Sequence, residues 1–554
     1  MGQIGEAWDK TCKILLGGEV GPLAQFEGQL MRYVTPLSIE KSALSGVDVA
    51  VPGGVFCKGA KFISNSEAAG APMVSQSKPL DINDLKDLDS IVGALEGRVF
   101  YSGNIVLGNS KNVGLSDRCI NSSNVLSSSD IYDSEYVAYS SILRYMKYAF
   151  GCDNVAESAF IVGGYNITHA TRFFEANQTF YSSDCYYVAN LEGCNECMFS
   201  FNLRNASYRI GNLALPKDKY DKLKAKLLED LRQTLSSKKR APRIIDFLAV
   251  PKGKVALPGG AKNAGLQSSS EQVSRKEAMD RIEQAFSDTC GLVLGKPLSP
   301  LLDYAKWLQR HVLQPRRAKS AASGLDMIVP GWHSFKTVND FVGFEESLEL
   351  GKQALSSKEV ESLSISNSVG AFARLSITSP WFYRKSMGMV DVAISREAQY
   401  CYWGSLYVFS RHCAYSHWPR NSEYAFGCNL VFSSKFCIKC HDSSNLSRCF
   451  EVSDSNNCSD CCFCHNCEGL QECMFCFNTK NKKHAVFNVE IGRDRYLALK
   501  KAVLSSICAR LEREKSLGLD IFCAGCASSH KKGASPHGTA GGPGPKAMAR
   551  PSKK

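Results

Sequence analysis

Residues 116–140 read SDRCINSSNVLSSSDIYDSEYVAYS, and every third position in this stretch is small or apolar. The period of three extends over residues 107–200, and a second series runs over 386–476, where many residues in phase are cysteines. An α-helix does not keep such a stripe on one side, because three residues rotate through about 300°. A flat strand does not keep it either, since residues i and i+3 point to opposite faces. The period predicts a β-solenoid, in which short strands separated by bends coil around small side chains.

The chain also repeats itself over a long distance. Tyr148–Cys152 and Tyr424–Cys428 both read YAFGC, an offset of 276 positions, and the same offset aligns two ECMF motifs downstream. Near the start the offset becomes 278, where Lys41–Gly46 aligns with Lys319–Gly324. Long self-similar units indicate an internal duplication, and two copies in one chain predict a pseudo-dimer.

The predicted fold class is α+β, internally duplicated, with each copy a small-residue-cored β-solenoid that carries helical caps. The first copy spans residues 1–235, with a helical start, a mixed region and a solenoid over about 107–200. A basic flexible linker that leads into a helix follows at 236–278, and the second copy spans 279–515 with a solenoid over about 386–476. Residues 516–554 are predicted to be a basic low-complexity tail. The spacing of charged and apolar residues predicts four helices, over Ile4–Leu16, Lys217–Lys239, Lys276–Leu294 and Arg493–Lys515.

A resemblance to known proteins lies at the end of each copy. The run Glu472–Asn488 reads ECMFCFNTKNKKHAVFN and is followed by a predicted helix that carries Tyr496. It resembles the end of certain uncharacterised Cys/Asn-rich repeat proteins with a helical C-terminal cap. The resemblance covers about the last hundred residues of each copy and implies a capped solenoid; it implies no activity.

The cysteines allow two interpretations. Of 24 cysteines, 13 lie between Cys401 and Cys476, and overlapping C-x-x-C pairs there suggest a zinc or iron–sulfur site. The alternative is that the sulfurs fill the core, since a free cysteine behaves as a small hydrophobe. The first copy favours core filling, because its equivalent positions include Val188 and Leu191, which bind no metal. The candidate ligands of the metal hypothesis are Cys458, Cys461, Cys464 and Cys467.

A separate metal candidate lies near the C-terminus. Cys523 and Cys526 form a C-x-x-C pair with His530 close by, and such a set can close a small zinc site. The alternative is a chance pair in a Cys-rich chain with a Gly/Ser-rich tail. No cofactor is therefore predicted, with zinc as the open possibility.

Motifs for catalysis are lacking. The sequence contains no P-loop, no G-x-G-x-x-G at a strand–helix junction, no H-E-x-x-H and no G-x-S-x-G. His412, His417, His441 and His465 fall outside the inward phase, so we expect them on the outer surface or in turns. The sequence predicts a protein that is not an enzyme.

The positive charge is concentrated in two stretches. The formal net charge is +12; residues 236–269 carry seven basic residues and one acid, and 527–554 carry six basic residues and no acid, so each stretch contributes +6. Both are rich in Gly, Pro, Ala and Ser, which predicts flexible basic arms on a near-neutral body. Such arms are typical of polyanion binding, and a merely solvated linker and tail is the alternative. The predicted nucleic-acid contacts are Lys238, Lys239, Arg240, Arg243, Lys252, Lys254, Lys531, Lys532, Lys546 and Arg550.

Composition limits the remaining classes. With 554 residues, 44% hydrophobic and 22% charged, the chain can bury large cores and is neither disordered throughout nor fibrous. It has no apolar run of about 18 residues and no apolar signal core at its start, so the sequence predicts a cytoplasmic protein that does not enter membranes.

The expected function is a non-enzymatic scaffold or binding protein whose basic arms contact a polyanion such as RNA or a ribonucleoprotein. Two alternatives stay open at this point. One is a Cys-ligated zinc or iron–sulfur protein, and the other is a structural protein that self-assembles through solenoid faces.

Overall fold

The computed structural model of the protein describes residues 2–68, 87–164, 170–253, 255–258, 273–380 and 382–526. Within these ranges, two thirteen-stranded sheets and twelve α-helices form most of the regular structure. The chain therefore has the α+β composition that its sequence predicts.

The first of these sheets, the N-terminal sheet, is parallel except at its end. Ser129 pairs with Ser141, and Ser141 pairs with Asp153, so neighbouring strands join residues twelve positions apart. The last strand, Leu213–Ala214, pairs antiparallel and closes the sheet. The strands are Val106–Leu107, Lys111–Val113, Asp117–Ile120, Ser123–Leu126, Ser129–Tyr132, Glu135–Ala138, Ser141–Phe150, Asp153–Val162, Ala170–Phe180, Ser183–Glu192, Asn195–Met198, Ser207–Ile210 and Leu213–Ala214.

The C-terminal sheet repeats this arrangement. Gln399 pairs with Arg411, and Lys435 pairs with Ser447, again twelve positions apart and parallel. Its strands are Met387–Val392, Gln399–Gly404, Arg411–Ala414, Glu423–Phe426, Asn429–Phe432, Lys435–Ile438, His441–Ser444, Ser447–Ser453, Cys462–Glu468, Gln471–Met474, Phe477–Lys480, Lys483–Val486 and Val489–Glu490. A three-stranded sheet of Phe382–Arg384, Ile394–Arg396 and Tyr407–Val408 has the same spacing.

Three small pairs of strands precede the large sheets. Leu37–Lys41 pairs antiparallel with Asp48–Pro52, and Arg316–Lys319 pairs antiparallel with Asp326–Val329. Lys61–Ser64 pairs parallel with Phe100–Gly103.

The bends between strands come from residues in the left-handed conformation. Between Asn121 and Tyr148, every third residue has a φ of +46° to +59°. Each of these lies two positions after an inward-facing residue, as Asp130 does after Ser128. Non-glycine residues rarely adopt this conformation, although Asn and Asp tolerate it best. Four bends per twelve residues bring the chain back beside itself, so the left-handed residues produce the spacing of the pairing.

The interior explains why serine and cysteine share the inward positions. Ser422 donates its hydroxyl to the carbonyl oxygens of Arg420 and Val431, both at 3.0 Å. Cys440 makes the same pair of contacts, from its thiol to the carbonyl oxygens two residues before and nine residues after it, at 3.7 and 3.5 Å. The carbonyl oxygens of Arg420 and Val431 also accept the backbone N–H groups of Ser433 and Arg420, so the small side-chain donor is a second partner for each of them.

The helices cover the sheets and their ends. Gly2–Leu16 lies on the N-terminal sheet and Arg275–Leu294 on the C-terminal sheet, and Lys217–Lys238 and Arg493–Glu514 follow the last strand of each sheet. These four helices lie at the segments where the sequence predicts helices. The shorter helices are Glu27–Leu30, Asn65–Ala68, Leu88–Leu95, Ile244–Leu248, Ala305–Leu308, Phe344–Leu350, Ser357–Glu361 and Ser368–Ala371, with 3₁₀ turns at Leu23–Phe26, Met31–Tyr33, Leu301–Tyr304 and His333–Phe335. Among the described residues, no helix is both long enough and apolar enough to cross a membrane.

Segments next to the two large sheets contact each other reciprocally. The amide of Asn202 donates to the carbonyl oxygen of Ile377 at 2.8 Å, and the amide of Asn478 donates to that of Phe100 at 2.9 Å. The beginning of each sheet region thus meets the end of the other. Because one hydrophobic cluster runs through both halves, the outer faces of the sheets are largely buried.

Replacement of an inward serine tests the role of these side chains. Ser128 accepts a hydrogen bond from the backbone N–H of Ser140 at 3.1 Å and donates to the carbonyl oxygen of Leu126 at 2.8 Å. We expect Ser128→Ala to lower the free energy of unfolding by about 1–3 kcal/mol, because the buried backbone N–H of Ser140 loses its acceptor. Ser128→Cys should lose less, since a thiol sulfur can still accept a backbone N–H, as Cys476 does from Asn488 at 3.4 Å. Urea unfolding measures both, with the exposed Ser236→Ala as control; equal losses for Ser128→Ala and Ser128→Cys would contradict the explanation.

Candidate functional site

The four cysteines of the main metal hypothesis lie inside the C-terminal sheet region. Cys458, Cys461, Cys464 and Cys467 are at most 1% exposed. Each thiol donates to backbone carbonyls; that of Cys461 contacts the carbonyl oxygens of Ser459 and Leu470 at 3.2 and 3.7 Å. In the part of the chain that the structure describes, no three His, Cys, Asp or Glu side chains are grouped so that they could hold a metal ion.

The thiols in this stack also contact one another. Burial raises the pKa of the Cys461 thiol well above its usual range. Hydrogen bonds from Cys461 and Cys476 lower the pKa of Cys473 to about 5. At Cys464 burial raises the pKa, but hydrogen bonds from neighbouring thiols outweigh it and hold the pKa well below its usual range. The stack therefore combines neutral donors with two readily ionised thiols.

The two cysteines of the second metal candidate have different partners in the structure. Cys523 donates its thiol to the carbonyl oxygens of Gly518 and Asp520, at 3.7 and 3.5 Å, whereas Cys526 forms a disulfide with Cys57. His530 lies outside the described residues. Residues 516–526, which we call the C-terminal segment, carry several buried apolar side chains. This segment is therefore part of the packed fold, and the low-complexity tail predicted from 516 onward differs from the structure there.

The predicted nucleic-acid contacts fall into two groups. Lys238 and Arg240 are exposed, whereas the ammonium group of Lys239 donates to the carbonyl oxygen of Val20 at 3.0 Å. Lys252 donates to three backbone carbonyls of residues 247–250, at 2.7 to 3.1 Å. The remaining predicted contacts, Lys254, Lys531, Lys532, Lys546 and Arg550, lie outside the described residues.

Arg243 occupies a different environment from the one that the sequence predicts. It is 1% exposed, pairs with Glu175, and donates to the carbonyl oxygens of Gln29 and Gly151 at 2.7 and 3.0 Å. Residues 244–248 that follow it form a short helix with buried apolar side chains. Residues 241–250 are thus packed against the fold and do not form the flexible arm expected from composition. Burial of their apolar side chains offsets the cost of ordering their charged groups.

A group of charged side chains between the two sheets has no counterpart in the predicted sites. Arg118 of the N-terminal sheet donates to both carboxylate oxygens of Asp130, at 2.5 and 2.8 Å, and to Asp442 of the C-terminal sheet at 3.2 Å. Carboxylate oxygens of Asp117 and Asp454 lie 3.9 and 3.8 Å from its Nε. All five side chains, which we call the inter-sheet charge cluster, are at most 8% exposed. One cation faces four carboxyl groups away from water.

A neighbouring polar group attaches the C-terminal segment to the sheets. Lys439 is fully buried and lies 3.8 Å from Glu451, which accepts a backbone N–H of the C-terminal segment at 3.0 Å. Asp520 accepts from Arg310 at 3.3 Å and lies 3.1 Å from a ring nitrogen of His311. Charged side chains thus link the second sheet to the end of the described chain.

Burial determines the protonation of these groups. It raises the pKa of Asp117 to about 8 against the opposing effect of Arg118, and it raises the pKa of Asp442 well above its usual range. Burial likewise raises the pKa of Glu451 to about 8, although Lys439 opposes this. Burial therefore favours the protonated forms of Asp117 and Asp442, which reduces the excess of negative charge around Arg118.

The histidines do not lie on the outer surface, where the sequence analysis expects them. His417, His441 and His465 are at most 1% exposed, and among the four only His412 is half-buried. Burial lowers the pKa of His417 to about 3 and that of His441 well below its usual range, so both rings are neutral. The prediction of a surface position was wrong because the period of three identifies the inner face but does not indicate what covers the outer one.

A weak signal for the buried charges does exist in the sequence. Several charged residues recur at a spacing of twelve, which is the spacing of residues in neighbouring strands. The pairs are Arg118 with Asp130, Lys439 with Glu451, and Asp442 with Asp454. Without the twelve-residue spacing, which period-three analysis does not supply, these pairs are not recognisable.

Comparisons with protein-family models, with curated proteins and with solved structures found no match to this chain.

Removal of the central cation tests the inter-sheet charge cluster. We expect Arg118→Met to lower the free energy of unfolding by about 3–5 kcal/mol, because buried carboxyl groups lose their partner. Arg172, 57% exposed and 3.8 Å from Asp184, provides the control, and Arg172→Met should cost less than about 1 kcal/mol. Urea unfolding at neutral pH measures both; similar small losses would show that the cluster does not hold the sheets together.

The raised pKa values of the buried carboxyl groups predict a pH dependence. Asp117 and Glu451 bind a proton in the folded protein up to pH about 8 but release it in the unfolded chain near pH 4. Their contribution to stability is therefore complete below pH 4 and is lost as pH rises toward 8, at about 1.4 kcal/mol per pH unit for each group. The buried histidines titrate in the unfolded chain near pH 6.5, so they act mainly below that pH. The Cys473 thiol acts in the opposite sense over the same range, because its pKa is about 5 in the folded protein and about 8.5 in the unfolded chain. The test is therefore a comparison of two chains: between pH 6.5 and about 8, the stability of Asp117→Asn should fall by about 1.4 kcal/mol per pH unit less than that of the unaltered chain. Equal slopes of the two chains in urea unfolding would disprove the assignment.

Proposed function

We propose that the protein is a non-enzymatic scaffold in which two capped β-solenoids, related by internal duplication, carry a basic arm that contacts a polyanion such as RNA or a ribonucleoprotein. The solenoid interpretation is supported by the parallel pairing at twelve positions, seen for Ser129 with Ser141 and for Gln399 with Arg411. It is supported further by the left-handed bend at every third residue and by inward side chains that fill the interior.

Two observations support the duplication. The sequence offset of 276 positions carries paired residues onto paired residues, since Ser141 with Asp153 corresponds to His417 with Asn429. The contact of Asn202 with Ile377 also has its reciprocal in the contact of Asn478 with Phe100. Such self-complementary contacts are those of a two-fold dimer, here joined in one chain.

The structure also bears on the choice between a scaffold and an enzyme. Several described ionisable groups of the interior pair with one another, as Arg118 does with Asp130 and Lys439 with Glu451, and these pairs are buried. An arrangement in which buried charges join two rigid sheets suits a binding platform better than a site that must admit and release a substrate.

The proposal of a polyanion partner rests chiefly on the distribution of charge along the chain. Residues 241–250 pack against the fold, so one of the two basic stretches is only partly available. The other, residues 527–554, lies outside the described residues and carries +6 of the total +12 with no acid. This concentration of uncompensated charge in a Gly/Pro-rich segment is the observation that carries the proposal.

Removal of the tail tests the proposal. A chain that ends at Cys526 keeps the whole described fold, so it should keep its circular dichroism and its unfolding midpoint while it loses most of its affinity for RNA. For the full chain, six phosphate contacts on a single strand predict a slope of about −4 for log affinity against log salt concentration. Fluorescence anisotropy with a labelled RNA measures both.

The matched control is a full chain in which the tail residues are scrambled but all six basic residues are kept. It should bind RNA like the unaltered chain, because electrostatic binding does not depend on the order of the residues. Affinity that is unchanged by truncation would contradict the proposal. Zinc and iron measured on the same samples, without stoichiometric metal, would agree with a scaffold that uses its thiols as backbone donors.

A further inference from the structure

A surface groove between the two sheets carries alternating guanidinium groups and aromatic rings. Arg420 of the C-terminal sheet region lies 6.0 Å from the ring centre of Tyr145 on the N-terminal sheet and 5.9 Å from that of Phe409. Arg144 lies 4.9 Å from the ring of Tyr145, and Arg396 lies 5.2 Å from the ring of Phe409. These five side chains, which we call the junction groove, come from both halves of the chain, so the groove exists only where the halves meet.

The rings of the junction groove are accessible from solvent. Tyr145 is 47% exposed, which is unusual for an aromatic residue of a strand, and Phe409 is half-buried. Phe409 also lines an open depression together with Lys385, Glu397, Gln399 and Arg411, of which Lys385 and Arg411 are exposed. A ligand that enters the depression meets an aromatic face and two cations.

The guanidinium groups are held in place by carboxylates. Arg420 pairs with Glu157, Arg144 lies 3.7 Å from Asp133, and Arg396 lies 3.8 Å from Glu397. These pairs nearly neutralise the groove itself, so net charge alone does not explain it. The distinctive feature of the groove is the surface of its aromatic rings, which lie between guanidinium groups that are fixed in position.

At the edge of the groove, exposed cations outnumber the carboxylates that lie near them. Glu423 lies 3.2 Å from Arg411 and 3.0 Å from Lys435, so one carboxylate serves two exposed cations. With Lys385 also exposed, the edge beside Phe409 has uncompensated positive charge. Rings with positive charge beside them are the arrangement with which proteins bind single strands, since every base has a face that can stack and every phosphate is an anion.

Among the described residues, two other ladders of stacked rings lie beneath helices, and none of their rings reaches the 47% exposure of Tyr145. Tyr136, Tyr148 and Phe160 stack at 5.0 and 4.6 Å, but the helix Gly2–Leu16 lies on those strands and places Lys10 over the rings. Tyr400 stacks on His412 beneath the helix Arg275–Leu294. Those ladders pack helices onto sheets, whereas the junction groove has ring surface that faces solvent.

We propose that the junction groove binds single-stranded nucleic acid, with bases stacked on Tyr145 and Phe409 and phosphates at Lys385 and Arg411. The inference rests on the proposed function and adds to it a place where bases, and not only phosphates, are contacted. Duplexes should bind less well there, because their bases are already stacked and paired.

The experiment compares two probes on the full chain. One probe is a short fluorescein-labelled oligouridine, and the other is labelled heparin, a polyanion without bases. The groove variant is Tyr145→Leu with Phe409→Leu, and the matched control is Tyr181→Leu, which alters another half-exposed tyrosine of the N-terminal sheet outside the groove. We expect the groove variant to bind oligouridine about tenfold or more weakly, the loss that corresponds to one or two stacked bases, and to bind heparin with unchanged affinity.

The outcomes separate this inference from the proposal on which it rests. If the groove variant binds oligouridine as the unaltered chain does, the groove is not a base-binding site, while tail-dependent RNA binding stands. If the unaltered chain binds neither probe, the proposed function fails and the inference fails with it. Ultraviolet cross-linking of a 4-thiouridine oligonucleotide to the unaltered chain gives a readout that needs no variant. Adducts at Tyr145 or Phe409 would support the groove, and adducts confined to residues 527–554 would overturn it.

Discussion

Backbone pairing at a separation of twelve residues is the constraint on which the rest of the structure depends. It requires a bend after every third residue, and the chain makes that bend by placing residues such as Asn121 and Asp130 in the left-handed conformation. Each such residue carries a conformational cost unless it is glycine, and the parallel hydrogen bonds on both sides offset that cost. The strands between bends are short, so only every third side chain points inward, and only small or slender side chains fit together there.

The same geometry explains why cysteine, serine and valine share the inward positions. At Ser422 and at Cys440 the side chain serves as a donor to carbonyls two residues before and nine residues after it. A thiol and a hydroxyl are interchangeable in this role, whereas valine fills the space without donating. The cysteine content of the second half therefore has a structural explanation that needs no ligand.

Packing of the two halves forms groups of charged and aromatic side chains that neither half contains alone. Arg118 and Asp130 come from one sheet and Asp442 and Asp454 from the other, so the inter-sheet charge cluster forms only when both are in place. The junction groove is likewise shared, with Tyr145 from one half and Phe409 from the other. A buried charge cluster makes the association of the halves sensitive to the protonation of its carboxyl groups, and the proposed binding of nucleic acid would depend on the relative position of the halves.

The sequence by itself determined the inner face of the sheets and the four long helices, because these depend on local periodicity that can be read residue by residue. It indicated that Ser128 and Cys461 point inward, and both are buried. It did not reveal the twelve-residue pairing, since a period of three is compatible with several lengths of circuit. It also misplaced His441 and His465, which lie off the inward phase, and Arg243, which was expected in a flexible basic arm; all three are buried beneath other parts of the chain. Only the tertiary structure decided those positions, because whether an outer face meets water depends on which distant segment covers it.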